Sequence, residues 1–116
     1  MRFAVPCEEK RVAQQFGNAS QFAFFDANPR SGHILQQQVV DSPGQGPDVV
    51  SRWVADYGTD VVLAAGLSTA ARRSLSDRGV AFVVGARSND PRELVQSFLA
   101  DSLTSDLEAP TVGGRT

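Results

Sequence analysis

Two almost wholly apolar segments, "DVVLAAG" (Asp60 to Gly66) and "VAFVVG" (Val80 to Gly85), flank one helix-length polar stretch. No other feature limits the possible folds as strongly. Strands without polar alternation are buried on both faces, as parallel strands are. Between them, Ser68 suits an N-cap, a helix can run to Arg78, and Gly79 suits its end. A strand, helix and strand of these lengths form a β-α-β unit with a right-handed crossover. The rest of the chain must then cover both faces of a parallel pair.

The N-terminal half has a different texture. "RFAVP" (Arg2 to Pro6), "QFAFFD" (Gln21 to Asp26) and "HILQQQVV" (His33 to Val40) read as short strands. The first is expected to stop at its proline. "ANPRSG" (Ala27 to Gly32) is turn chemistry, so the second and third strands form a hairpin. The third is the most polar and suits a sheet edge. The period then changes. Gly46 and Pro47 suit the start of a helix, and Val49, Val50, Trp53, Val54 and Tyr57 repeat on one face until Gly58. A last helix opens at "NDPREL", with Asp90 as cap, Pro91 in the first turn and Glu93 at the third position. Its buried face is Leu94, Val95, Phe98 and Leu99.

The predicted order is β-β-β-α-β-α-β-α. This is an α/β chain with a five-stranded mixed sheet, an antiparallel meander joined to a parallel β-α-β unit, and three helices. Its 116 residues suit one domain with one core. The domain is expected over residues 1–103, with 104–116 a polar, Gly-containing and disordered tail.

Charge and composition exclude several classes. Residues 1–100 carry ten acidic and ten basic side chains, and the net charge of -2 comes from the tail. No basic patch of the nucleic-acid-binding kind is present. No apolar run approaches the roughly 20 residues of a membrane span. The N-terminus lacks the apolar core of a signal peptide, so a cytoplasmic location is expected. A single cysteine, Cys7, excludes an internal disulfide and fits a reducing compartment.

If the first strand is parallel to the fourth and fifth, four loops meet at one end of the sheet. They are the loop after Pro6, the Asp41 to Pro47 loop, the Gly66 to Ser68 turn and the Gly85 to Asn89 turn. Open α/β sheets bind ligands beyond their strand C-termini. "DSPGQGPD" (Asp41 to Asp48) then becomes a lip of that crevice, offering amides through Gly44 and Gly46 but no metal-ligating histidine or lysine. Cys7 lies across from it, either as a soft-metal ligand or as a small packing residue. Glu8 and Glu9 beside it do not favour a thiolate. In "QFGNAS" (Gln15 to Ser20), Phe16 is a candidate cover for the crevice, and Gly17 and Asn18 a candidate tight turn. Arg11 and Arg87 are candidates to face an anion, and Arg72 and Arg73 are read as a solvated helix face. His33, the single histidine, falls at the remote end and, with Cys7 far from it, cannot build a four-ligand zinc site. Asp26 and Asp60 also fall at the remote end. No acid pair and no Ser-His pair is placed for catalysis, so no enzyme is expected.

Three segments together resemble the dinitrogenase iron-molybdenum cofactor-binding family. They are "RFAVP", "VAQQFGNASQFAFFD" and "GTDVVLAAGLSTAARRSLSDRGVAFVVGA". The resemblance covers about residues 1–100. It implies a ribonuclease H-like three-layer fold without nuclease activity. It also implies a non-catalytic carrier for an anionic metal-sulfur cluster: the iron-molybdenum cofactor, its precursor or a molybdenum-copper sulfide. Nitrogenase or cofactor-assembly proteins are the implied partners. The site would use Cys7 as a metal ligand, with Arg11, Phe16, Asn18, Gly44, Gly46, Gly66, Leu67, Ser68 and Arg87 around the cluster. Many family members carry histidines in the loop after the third strand, and this chain has none there. Two other readings follow: a scaffold or regulatory module that has lost cluster binding, and a small-molecule or nucleotide-binding domain using the same crevice.

Overall fold

Five consecutive residues, Phe3 to Cys7, are buried in strand β1 (Arg2–Glu8), which holds the middle of the sheet. The computed structural model describes residues 1–85, 89–104 and 112–113. After β1 come β2 (Arg11–Val12), β3 (Gln21–Asn28) and β4 (His33–Asp41). Helix α1 (Pro47–Asp56), β5 (Val61–Ala64), α2 (Thr69–Asp77), β6 (Ala81–Val84), α3 (Pro91–Thr104) and β7 (Val112–Gly113) complete the order. The sheet runs β4-β3-β1-β5-β6-β7, with β2 paired to the far end of β1.

β1 pairs antiparallel with β3 and parallel with β5, and β5 pairs parallel with β6. The meander and the β-α-β unit are therefore joined as the apolar patterning predicts. Two two-residue strands, β2 and β7, extend the expected five. The predicted tail lies mostly outside the described residues, apart from β7 on the outer side of β6.

Alternation along the strands builds two cores. Ala4, Phe22, Phe24, Val62, Ala64 and Phe82 face Val50 and Val54 of α1 and Ala71 and Leu75 of α2. Phe3, Val5, Phe25, Leu63 and Ala81 face Leu94, Val95 and Leu99 of α3. The result is three layers, α1 and α2 on one face and α3 on the other. Trp53 and Tyr57 clasp β3 from α1, with the Tyr57 ring stacked on Phe24 at 4.6 Å between centroids. Ser68 caps α2 as expected, its hydroxyl accepting from the Ala71 N–H at 3.1 Å.

One boundary differs. β1 does not stop at Pro6 but continues to Glu8. The β1–β5 ladder ends at Ala4, so Pro6 has no β5 residue opposite that would need its missing N–H. Its carbonyl instead accepts from the Ala13 N–H at 2.8 Å, which draws the chain after β2 back onto β1.

The remote end of the sheet is tied by Arg2. Its guanidinium donates to both oxygens of Asp26, at 2.8 and 3.1 Å, and to the Tyr57 carbonyl. Its backbone N–H donates to Asp60 at 2.8 Å. One side chain thus ties β1, β3 and the C-terminal end of α1. The Arg2 hydrogen bonds hold the Asp26 carboxyl below its ordinary range, against a smaller opposing effect of burial. A carboxyl so shifted contributes stability that is full above the unfolded value and fades as pH falls through the folded one. Both partners are about one-third exposed. We therefore expect Asp26→Ala to lose only about 1 kcal/mol at neutral pH. Urea melts at pH 7 and pH 3 should show that difference shrinking in acid.

Candidate functional site

β1, β4, β5 and β6 all point their C-terminal ends the same way, as their pairings require. The described parts of the loops predicted to converge there do so around a segment that runs between them. Residues 13–20 cross the end of the sheet. A β-carbon on Gly17 would lie 2.9 Å from the Pro47 nitrogen and 3.1 Å from the Gly46 carbonyl carbon. On the other side, a β-carbon on Gly66 would lie 3.8 Å from the Gln14 carbonyl oxygen. The loop after β6 joins through the Asn89 carbonyl, which accepts from the Val12 N–H at 2.9 Å.

The open space lies on the β1–β2 side of this crossing. An open depression of about 610 Å³ is lined by Glu8, Glu9, Arg11, Val12, Ala13, Gln14, Gln15 and Asn18. Its rim is a two-residue hairpin turn in which Glu9 and Lys10 adopt φ of 49° and 69°. That conformation normally calls for Asn-Gly, so the hairpin has no sequence signature. Glu8 accepts from the Ser20 N–H at 2.6 Å and from the Ser20 hydroxyl at 2.9 Å, which ties the end of β1 to the start of β3. The Asn18 amide donates to Gln15 at 2.9 Å, ordering the loop across the depression.

The candidate residues separate into groups. Arg11 and Asn18 are exposed and line the depression together. Gly44 and Gly46 form the lip before α1, at φ of 66° and 95°. Gly66, Leu67 and Ser68 form the turn into α2, where the Leu67 carbonyl accepts from Arg72 at 3.1 Å. Phe16 is 3% exposed and meets Phe22 edge-on at 5.4 Å. It is a plug in the core beneath the loop and does not cover an open crevice. Arg87 lies outside the described residues. Glu8, Glu9, Gln14 and Gln15 were not foreseen, because their place depends on the unsigned hairpin.

Cys7 belongs to the core on the α3 face, packed with Phe3, Val5 and Val12, and is 2% exposed. Its thiol donates to the Val5 carbonyl at 3.2 Å. Burial pushes the thiol up to about 11, a backbone contact from Ala23 opposes this weakly, and the Glu8 charge adds to it. At neutral pH this is a packed thiol, not a thiolate facing the loops. Among the described residues no group of three or more His, Cys, Asp or Glu is gathered for a metal ion. No described helix is long and apolar enough to cross a membrane.

A sequence profile described as dinitrogenase iron-molybdenum cofactor matches residues 1–101. Among solved structures, the protein PH0822 is 25% identical, with a TM-score of 0.78, covering 93% of this chain and 98% of that one. The apo form of the orange protein from Desulfovibrio gigas is 22% identical, with a TM-score of 0.73 and 95% of each chain covered. The protein MJ0327 from Methanocaldococcus jannaschii has a TM-score of 0.71 at 13% identity, covering 95% of this chain and 97% of that one. No curated protein matches the chain.

Two measurements check this geometry. Gly17→Ala should lose about 1–3 kcal/mol in urea unfolding, because the added carbon must push the 13–20 segment off the start of α1. For Cys7, the folded thiol stays neutral to about 11 while the unfolded one ionises from about 9. The unfolded chain then binds fewer protons, so stability falls as pH rises between those values, by on the order of 2–3 kcal/mol at most. Cys7→Ala should remove that slope in denaturant melts between pH 8 and 11.

Proposed function

We propose that this chain, which belongs to the dinitrogenase iron-molybdenum cofactor family, binds and carries an anionic metal-sulfur cluster without catalysing a reaction on it. The observation that carries this reading is the polar depression at the C-terminal end of the sheet, where Arg11, Gln14, Gln15 and Asn18 meet. Such a surface offers N–H donors and one guanidinium to the sulfides of a preassembled cluster. It does not offer a soft ligand, since Cys7 is packed away from it. The cluster is cargo that arrives with its own coordination shell and is held from outside.

Charge at the site is close to balanced. Glu8 and Glu9 oppose Lys10 and Arg11, and the Glu8 carboxylate is occupied by Ser20. Selectivity for an anion then rests on the direction of donors and on Arg11, whose guanidinium can chelate two acceptors at once. Iron-molybdenum cofactor, its precursors and molybdenum-copper sulfides are the candidate cargoes. Nitrogenase or cofactor-assembly proteins are the candidate partners, and a cytoplasmic setting fits a reduced Cys7. The buried Phe16 and Cys7 favour a second reading, a scaffold of this fold that no longer binds a cluster.

Anaerobic titration with extracted iron-molybdenum cofactor, and separately with thiomolybdate plus copper(I), distinguishes the two. Metal retained after desalting should be stoichiometric in the wild type and unchanged in Cys7→Ala. Arg11→Ala should weaken binding about 10-fold or more, the loss of one charge-assisted hydrogen bond. No retention by folded wild type would move the assignment to the scaffold. Retention that vanishes in Cys7→Ala would show that the loops open to expose the thiol.

A further inference from the structure

The two edges of the sheet are treated differently. On one side β7 pairs with β6 and covers it. On the other, the nine-residue β4 has no further strand paired to it among the described residues. The Ser42 N–H donates to the Ser20 carbonyl at 2.9 Å, so position 42 faces β3. Alternation then turns the N–H and C=O groups of Gln37, Val39 and Asp41 outward. Protein edges of this length are usually blunted by proline, charge or a bulge. Between Ile34 and Val40 this edge has neither proline nor charge. Its one such device is a bulge, where the register with β3 shifts between Asp26 and Ala27.

The strand is also symmetric about its centre. "ILQQQVV" (Ile34 to Val40) is an apolar pair, three glutamines and a second apolar pair. Leu35 and Val39 are 70% and 57% exposed, among the most exposed large apolar side chains described. An antiparallel copy aligned on Gln37 sets glutamine against glutamine. It also brings the apolar pair at each end against the other copy's apolar pair. His33 of one copy then approaches Asp41 of the other, a donor toward a carboxylate. An antiparallel shift by two residues would place glutamine against the apolar ends.

From this palindrome we infer that β4 is a homodimer interface, at which two copies join edge to edge in antiparallel register about Gln37 and continue the sheet through both chains. The two-fold is isologous, so the contact closes at two copies. The pairing does not depend on what the loops hold. The short interface makes the association weak.

Sedimentation of the full chain tests it. The apparent mass should rise toward twice the monomer between roughly 1 μM and 1 mM. Hydrogen exchange should slow at the outward Gln37, Val39 and Asp41 amides as concentration rises, and not in the other strands of the sheet. Gln37→Glu places two like charges opposite each other while the new carboxylate can still accept from Arg92, the present partner of Gln37. It should weaken dimerisation about 10-fold or more. Val39→Lys, which leaves Arg92 alone, should do the same, and circular dichroism should show both variants folded. A monomer across the whole range would overturn the inference. So would a dimer indifferent to both variants, or amide protection that appears only when an unrelated strand-forming peptide is added.

Discussion

The double pairing of β1 sets the rest of the structure. It is antiparallel to β3 on one side and parallel to β5 on the other, with five successive residues buried. Those five side chains must alternate between two cores, which obliges helices to lie on both faces. The parallel contact with β5 also fixes the end at which loops gather. Had β1 run the other way, the lip before α1 and the turn into α2 would lie at opposite ends. The segment 13–20 could not then touch both of them. Arg2 guards this arrangement at the remote end, where it gathers Asp26, Tyr57 and Asp60 on one side chain and its backbone.

Much of this was legible in residues because burial leaves a period. The apolar runs at Val61–Ala64 and Ala81–Val84 could be little else than buried parallel strands. Gly46, Pro47 and Ser68 mark helix starts through local chemistry, and the helices begin there. What stayed hidden depended on long-range contacts or on residues used against type. Pro6 looked like a strand end, yet it sits where β5 no longer pairs. The β1–β2 hairpin turns on Glu9 and Lys10 at positive φ, without the glycine that would announce it. Cys7 was open to two readings because a strand buried on both faces gives no clue to which core a side chain enters. Phe16 was placed in the right loop and at the wrong depth.

The likeness to solved structures supports the same division. Identities of 13% to 25% accompany TM-scores of 0.71 to 0.78 over nearly the whole chain. Sheet order and apolar alternation tolerate wide substitution, since many side chains fill a core of given volume. The loops at the sheet's end have no such constraint. Around the depression at that end this chain presents side-chain amides and Arg11, while its thiol serves packing. A protein of this kind would recognise the outer surface of a cargo more than its metal atoms.

The bare contact of Gly17 with Gly46 and Pro47 has a mechanical side. With no side chain between them, the crossing segment rests directly on the first residues of α1. Any cargo that lifts or presses this segment must therefore lean on the helix. The helix carries Trp53, the chain's single tryptophan, whose ring lies 5.5 Å from Phe22 and 5.6 Å from Phe24. A cargo held as proposed would in this way alter the surroundings of a fluorophore on the far side of the contact. For the proposed loading, the fold would then supply its own optical lever.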